Sequence, residues 1–224
     1  MATRAFIWLL RLRRHPAGLL LTVQLIGVML YPLMEDTPLG RALFGAFGIV
    51  VLSLVLWVVY RRSASRFAWL LAAPAVALSL SASFLHLPGL LPFAQALESA
   101  LYFYAAAGLM FYMLEDHVIT FDELIAAGAA FTLLAWAFAY AFSACQFWSP
   151  GSFSGAVDPT HARSWLELLF LSFSLLSGVG LSDIAPVLPG ARALSMLAMF
   201  SGVMYIAIVV SRVIALTAAR RPQA

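Results

Sequence analysis

Residues 164–186 read SWLELLFLSFSLLSGVGLSDIAP, and this stretch decides the fold. Ser164 stands three residues before Glu167, the spacing of a capping box in which each side chain satisfies a free amide at a helix start. The apolar run 164–176 is too short to cross a bilayer: about 12 residues at 1.5 Å each reach roughly 18 Å, against about 30 Å of hydrocarbon. The chain must then turn back as non-helical backbone. Such backbone is tolerated at membrane depth only where it is buried in protein or lines a water-filled cavity. Gly178 and Gly180, with Ser177 and Ser182, permit tight turns that expose carbonyl oxygens, and Asp183 sits at the mouth. A half-length helix also aims its negative carbonyl end at the membrane centre, where it favours a cation. The strip reads as a pore lining.

The sequence on either side is apolar. Of 224 residues, 63% are hydrophobic and 10% charged, whereas soluble domains carry about a quarter charged. This is the composition of an integral membrane protein. Runs of about 20 apolar residues mark membrane helices, and they fall at 17–34, 41–60, 67–86, 90–114, 120–145 and 189–216. The expected fold class is an all-α membrane protein: six transmembrane helices, with a re-entrant pore helix and filter loop between helices five and six.

All 13 basic residues are arginines. Arg4, Arg11, Arg13 and Arg14 precede the first span, Arg61, Arg62 and Arg66 join the second to the third, and Arg212, Arg220 and Arg221 close the chain. By the positive-inside rule both termini are cytoplasmic, with Arg41, Arg163 and Arg192 on the opposite side. The expected organisation is a cytoplasmic interfacial segment at 1–16, a peripheral four-helix domain at 17–116, a pore domain at 117–216 and a cytoplasmic tail at 217–224. In the first segment Phe6, Trp8, Leu9 and Leu12 suit the acyl boundary. No cleavable signal is expected, because Arg11, Arg13 and Arg14 cut the apolar run and no small-residue cleavage site follows. No soluble ligand-binding domain is expected in the chain.

The formal net charge of +3 is gathered at helix ends, so it reports orientation and argues against a nucleic-acid partner. Cys145, the single cysteine, cannot form an internal disulfide. His15, His86 and His161 lack partners at ligand spacing such as i, i+4. No metal site is expected. An enzyme would need a nucleophile with its base, and no His, Cys or carboxylate pair stands at motif spacing within the spans; no catalytic residue is assigned.

Residues 170–213, FLSFSLLSGVGLSDIAPVLPGARALSMLAMFSGVMYIAIVVSRV, resemble the pore of tetrameric potassium channels. That family carries a TTVGYGD filter, a proline-containing turn and an inner helix with a mid-helix glycine. The upstream residues 117–153, HVITFDELIAAGAAFTLLAWAFAYAFSACQFWSPGSF, are similar to the outer pore helix of bacterial six-helix members without a voltage sensor. The resemblance places Ser177, Gly178, Val179, Gly180, Leu181, Ser182 and Asp183 at the seven filter positions and Gly202 at the inner-helix gating hinge. It implies a homotetramer in a bacterial inner membrane, with no cofactor beyond a permeant monovalent cation, potassium by resemblance.

Four filter positions depart from the family pattern. Ser177 stands for the first threonine, and Gly178 removes the second with its hydroxyl ring. Leu181 cannot make the hydrogen bond of the family's tyrosine, and Ser182 stands where glycine relieves left-handed backbone, a strain of roughly 1–2 kcal/mol for a side chain. A wider or looser filter with weaker selectivity is the expectation.

Voltage sensing needs several arginines within a span; the fourth span has none, and voltage insensitivity is expected. Its one charge, Glu98, is a functional candidate by default, or a carboxylate near the outer interface satisfied by water or a neighbouring helix. Gln24 reads as interhelical glue. In the link 115–123, Glu115, Asp116 and His117 suggest a proton or divalent-cation sensor; the plainer reading is a hydrated turn, with Thr120 and Glu123 forming a second capping box. The function expected is a passive cation channel. The alternative is a non-conducting channel homologue acting as a structural or regulatory membrane subunit.

Overall fold

The computed structural model describes residues 16–34, 50–51, 53–54, 57, 66–84, 88–115 and 121–219. The interfacial segment up to residue 15, most of the expected second span, Asp116 and His117 of the acidic link, and Thr120 of the second capping box lie outside them. The described elements are α1 (Pro16–Met34), α2 (Arg66–Phe84), a 3-10 turn (Pro88–Leu90), α3 (Leu91–Glu115), α4 (Phe121–Trp148), β1 (Phe153–Gly155), α5 (Trp165–Ser177), β2 (Ile184–Pro186) and α6 (Pro189–Ala219). Proline stands at the first position of α1 and of α6, where its missing N–H costs nothing. α4 runs three residues past the expected end at 145 and stops at Trp148, before Pro150 and the left-handed Gly151 at φ 80°. Among the described residues, Leu91–Leu114, Leu124–Trp148 and Pro189–Val209 are long and apolar enough to cross a membrane, while Ala17–Pro32 and Trp165–Ser177 are shorter apolar helices.

The chain divides into two compact units, Met1–Ser65 with Ala105–Thr132, and Arg66–Tyr104 with Leu133–Ala224. In the first, the Thr132 hydroxyl donates to Gln24 Oε1 at 2.7 Å, both side chains being buried. A Cβ on Gly128 would stand 3.0 Å from the Leu21 side chain, so glycine brings α4 close to α1. Gln24 is interhelical glue, with Thr132 its partner.

The second unit is organised around the C-terminal half of α4, where every residue from Leu133 to Tyr140 is buried. Alanines at 135, 137 and 139 leave room for helix neighbours to approach. Ser99 of α3 donates to the Ala137 carbonyl at 2.8 Å, and Ser172 of α5 to the Ala135 carbonyl at 2.8 Å. Tyr102 stacks on Tyr140 at 5.5 Å, and Trp136 meets Trp165, the first residue of α5, edge-on at 4.9 Å. These contacts fix where α5 starts and how it is rotated.

α6 buries one stripe, Ala191, Ser195, Ala198, Gly202, Tyr205 and Val209, at the three-and-four spacing of one helical face. Its other face exposes Met196, Phe200, Val203 and further apolar side chains.

Candidate functional site: the strip between α5 and α6

α5 begins as its sequence requires. Ser164 is the N-cap in extended backbone (φ −67°, ψ 162°), its hydroxyl accepting the Glu167 amide at 3.3 Å while Glu167 Oε2 accepts the Ser164 amide at 2.6 Å. Both halves of the capping box are formed. Glu167 also places a negative charge on the positive end of the helix.

The 13-residue helix spans about 20 Å and ends at Ser177. Gly178 closes it in left-handed backbone (φ 72°, ψ 8°), its amide donating to the Leu175 carbonyl at 3.2 Å. The Ser174 carbonyl accepts twice, from the Gly180 amide at 3.3 Å and from the Ser177 hydroxyl at 3.2 Å. Gly180 is again left-handed at φ 69°. Two such residues, separated by Val179, reverse the chain at low cost only because neither has a Cβ. The Ser174 hydroxyl is buried with no hydrogen-bond partner among the described residues.

From Ser177 to Leu181 and at Asp183 the chain is exposed, with Val179 at 70% and Leu181 at 68%, while Ser182 is half-buried. The Ser182 hydroxyl accepts the Ile184 amide at 3.0 Å, a serine turn that leads into β2. The Asp183 carbonyl accepts the Ala156 amide at 3.0 Å. β2 then pairs antiparallel with β1, Gly155 opposite Ile184 and Phe153 opposite Pro186.

The seven expected filter residues therefore form one strip bounded by α5 and β2. Gly202 is brought to its base, since a Cβ there would overlap the carbonyl oxygen of Leu176, the residue before Ser177. Glu98 is not part of this cluster; it is buried in α3, one turn before the Tyr102 that stacks on Tyr140. Glu115 ends α3. Among the described residues no group of three or more His, Cys, Asp or Glu is placed to hold a metal.

In the sequence Arg163 stands out only as an outer charge. Its guanidinium is buried and pairs with Glu167 Oε1 at 3.2 Å. The signal available was the i, i+4 spacing of Arg163 to Glu167 across the capping serine.

Residues 122–219 match the family model described as Ion channel, under half of the 224-residue chain. This segment resembles an ion channel. The channel-like segment runs from the start of α4 to the end of α6 and contains the whole of the strip. With the three long apolar helices it marks a membrane protein. No curated protein and no solved structure shows a significant match to the chain.

Proposed function

We propose that the chain is a voltage-insensitive passive cation channel of the potassium-channel type, in which four copies surround one axis and each contributes α5, the strip 177–183 and α6. Six spans, a re-entrant α5 and cytoplasmic termini in a bacterial inner membrane complete the reading. The observation that carries it is the junction at Ser177: a half-length apolar helix, closed by left-handed Gly178, feeds an exposed strip and then a long apolar helix. In an assembly, the carbonyls of 177–182 replace part of an ion's hydration shell, and Asp183 forms a fourfold ring that attracts cations.

The exposed face of α6, with Met196, Phe200 and Val203, suits contact with neighbouring copies, because one chain cannot enclose a pore. Gly178, Leu181 and Ser182 leave the strip without a threonine ring, a tyrosine or a second terminal glycine, so potassium is preferred over sodium only weakly.

Flux through purified protein in liposomes, with potassium, sodium and a divalent ion compared in turn, tests the proposal. The expectation is passive monovalent flux with modest discrimination and little divalent passage. Tight vesicles with monodisperse, inserted protein would sink it.

A further inference from the structure

Val179, Gly180 and Leu181 have no side-chain donor or acceptor, so the outer part of the strip must be held through its backbone and its neighbours. Three connections do this: the Ala156 amide to the Asp183 carbonyl at 3.0 Å, the pairing of β1 with β2, and the Val187 amide to the Ser152 carbonyl at 2.8 Å.

That ribbon rests on Arg163. Arg163 is only 6% exposed, and its guanidinium occupies the space where a side chain on Gly155 would begin, so that a Cβ would overlap Nη1 and stand 3.0 Å from Cζ. It donates to Glu167 Oε1 and to the carbonyls of Asp158 and His161. Gln146, at the end of α4, holds both the amide and the carbonyl of Arg163, at 2.9 and 2.8 Å. The side chain of Arg163 therefore joins the cap of α5 to the seat on Gly155, next to the Ala156 amide that holds Asp183, while Gln146 at the end of α4 holds its backbone. Burying a guanidinium is costly unless it is paired and hydrogen-bonded, and here its planar fork makes four donations, to a carboxylate and two carbonyls. Lysine, a single point charge, cannot reproduce that set.

We propose that Arg163, seated on Gly155, is a positioning residue that sets the geometry of the strip at Asp183 and so its ion discrimination. The inference rests on the reading of 177–183 as the permeation strip. Arg163 touches no permeating ion in this scheme; it acts through Gly155, Ile184 and Asp183.

The test uses the full-length protein with Arg163→Lys, Arg163→Met and Gly155→Ala, each checked for monodispersity in detergent. Gly155→Ala removes no hydrogen-bonding group; its added methyl instead pushes Nη1 out of its seat. Two readouts are taken: the potassium-to-sodium permeability ratio, and hydrogen exchange of the peptide covering 178–187. All three variants are expected to change the ratio and to speed exchange across 178–187 about tenfold, with α4 protected as before. In a double-mutant cycle, Gly155→Ala adds little once Arg163 is Met. Wild-type protein that passes no ions defeats the channel reading alone, and the exchange measurement still decides the brace. Unchanged exchange and an unchanged ratio in monodisperse variants of a conducting wild type overturn the inference.

Discussion

Gly202 of α6 lies against the last turn of α5 so closely that a Cβ would overlap the Leu176 carbonyl oxygen and sit 2.6 Å from its carbonyl carbon. Resemblance assigns this glycine to bending of the inner helix. The contact gives it a second duty, because it lets α6 pass directly behind the start of the strip.

The two duties separate by mutation. Gly202→Ala overpacks a backbone contact, at about 1–3 kcal/mol, and is expected to lower the thermal midpoint in detergent. Moving the glycine one residue, with Ser201→Gly added to Gly202→Ala, would restore a hinge but not the contact. The contact predicts no recovery of stability; full recovery would show that bending alone matters.

Gly178 and Gly180 sit at φ 72° and 69°. Alanine at either position costs about 1–2 kcal/mol in left-handed backbone, with nothing among the described residues within 4 Å of the added methyl to clash. Each single substitution is expected to reduce flux while α4 and α6 stay folded, as circular dichroism and size-exclusion profiles would report. Wild-type flux from Gly180→Ala would mean that the strip does not keep this turn while conducting.

Gln24 and Thr132 couple α1 to α4 through one buried hydrogen bond. Polar pairs in membrane helices contribute roughly 0.6 kcal/mol and seldom more than about 2. A double-mutant cycle with Gln24→Leu and Thr132→Val, read by unfolding in mixed micelles, should return a coupling of that size. Additive effects would show that the pair contributes nothing beyond packing.

Asp158, fully exposed, has its carboxyl held below the usual range, first by the Thr160 hydroxyl and then by the Thr160 amide, with the His161 amide adding to this. A depressed folded value means that the turn is stabilised above the unfolded pKa and loses that support as pH falls through the folded one. The Thr160 amide resonance should therefore titrate below the ordinary aspartate range. A midpoint at or above that range contradicts the turn geometry.

Much of this was legible because it is local. Ser164 and Glu167 announce the start of α5 by spacing alone, and the short run after them gives its length. Gly178 and Gly180 mark the reversal, and Gln24 marks itself as a polar group in an apolar span. What was not legible joins distant residues. β1 and β2 are three residues each, too short for an alternating pattern to show. Arg163 meets Gln146 across 17 residues and Gly155 across a loop, and nothing in either neighbourhood announces the other. Gly202 illustrates a further limit: a glycine in an apolar helix has the same appearance whether it bends the helix or admits a neighbour. The sensor reading of Glu115, Asp116 and His117, weighed against a plain hydrated turn, concerns a link whose central residues lie outside the described ones.

The most direct test of the strip as the ion path introduces into it the filter residues of the potassium channels it resembles. In single-channel recordings, Gly178→Thr, Leu181→Tyr and Ser182→Gly are made together, and the potassium-to-sodium permeability ratio is compared with wild type. The account predicts that the triple variant discriminates more sharply in favour of potassium. A conducting triple variant whose ratio matches wild type would place the ion path elsewhere.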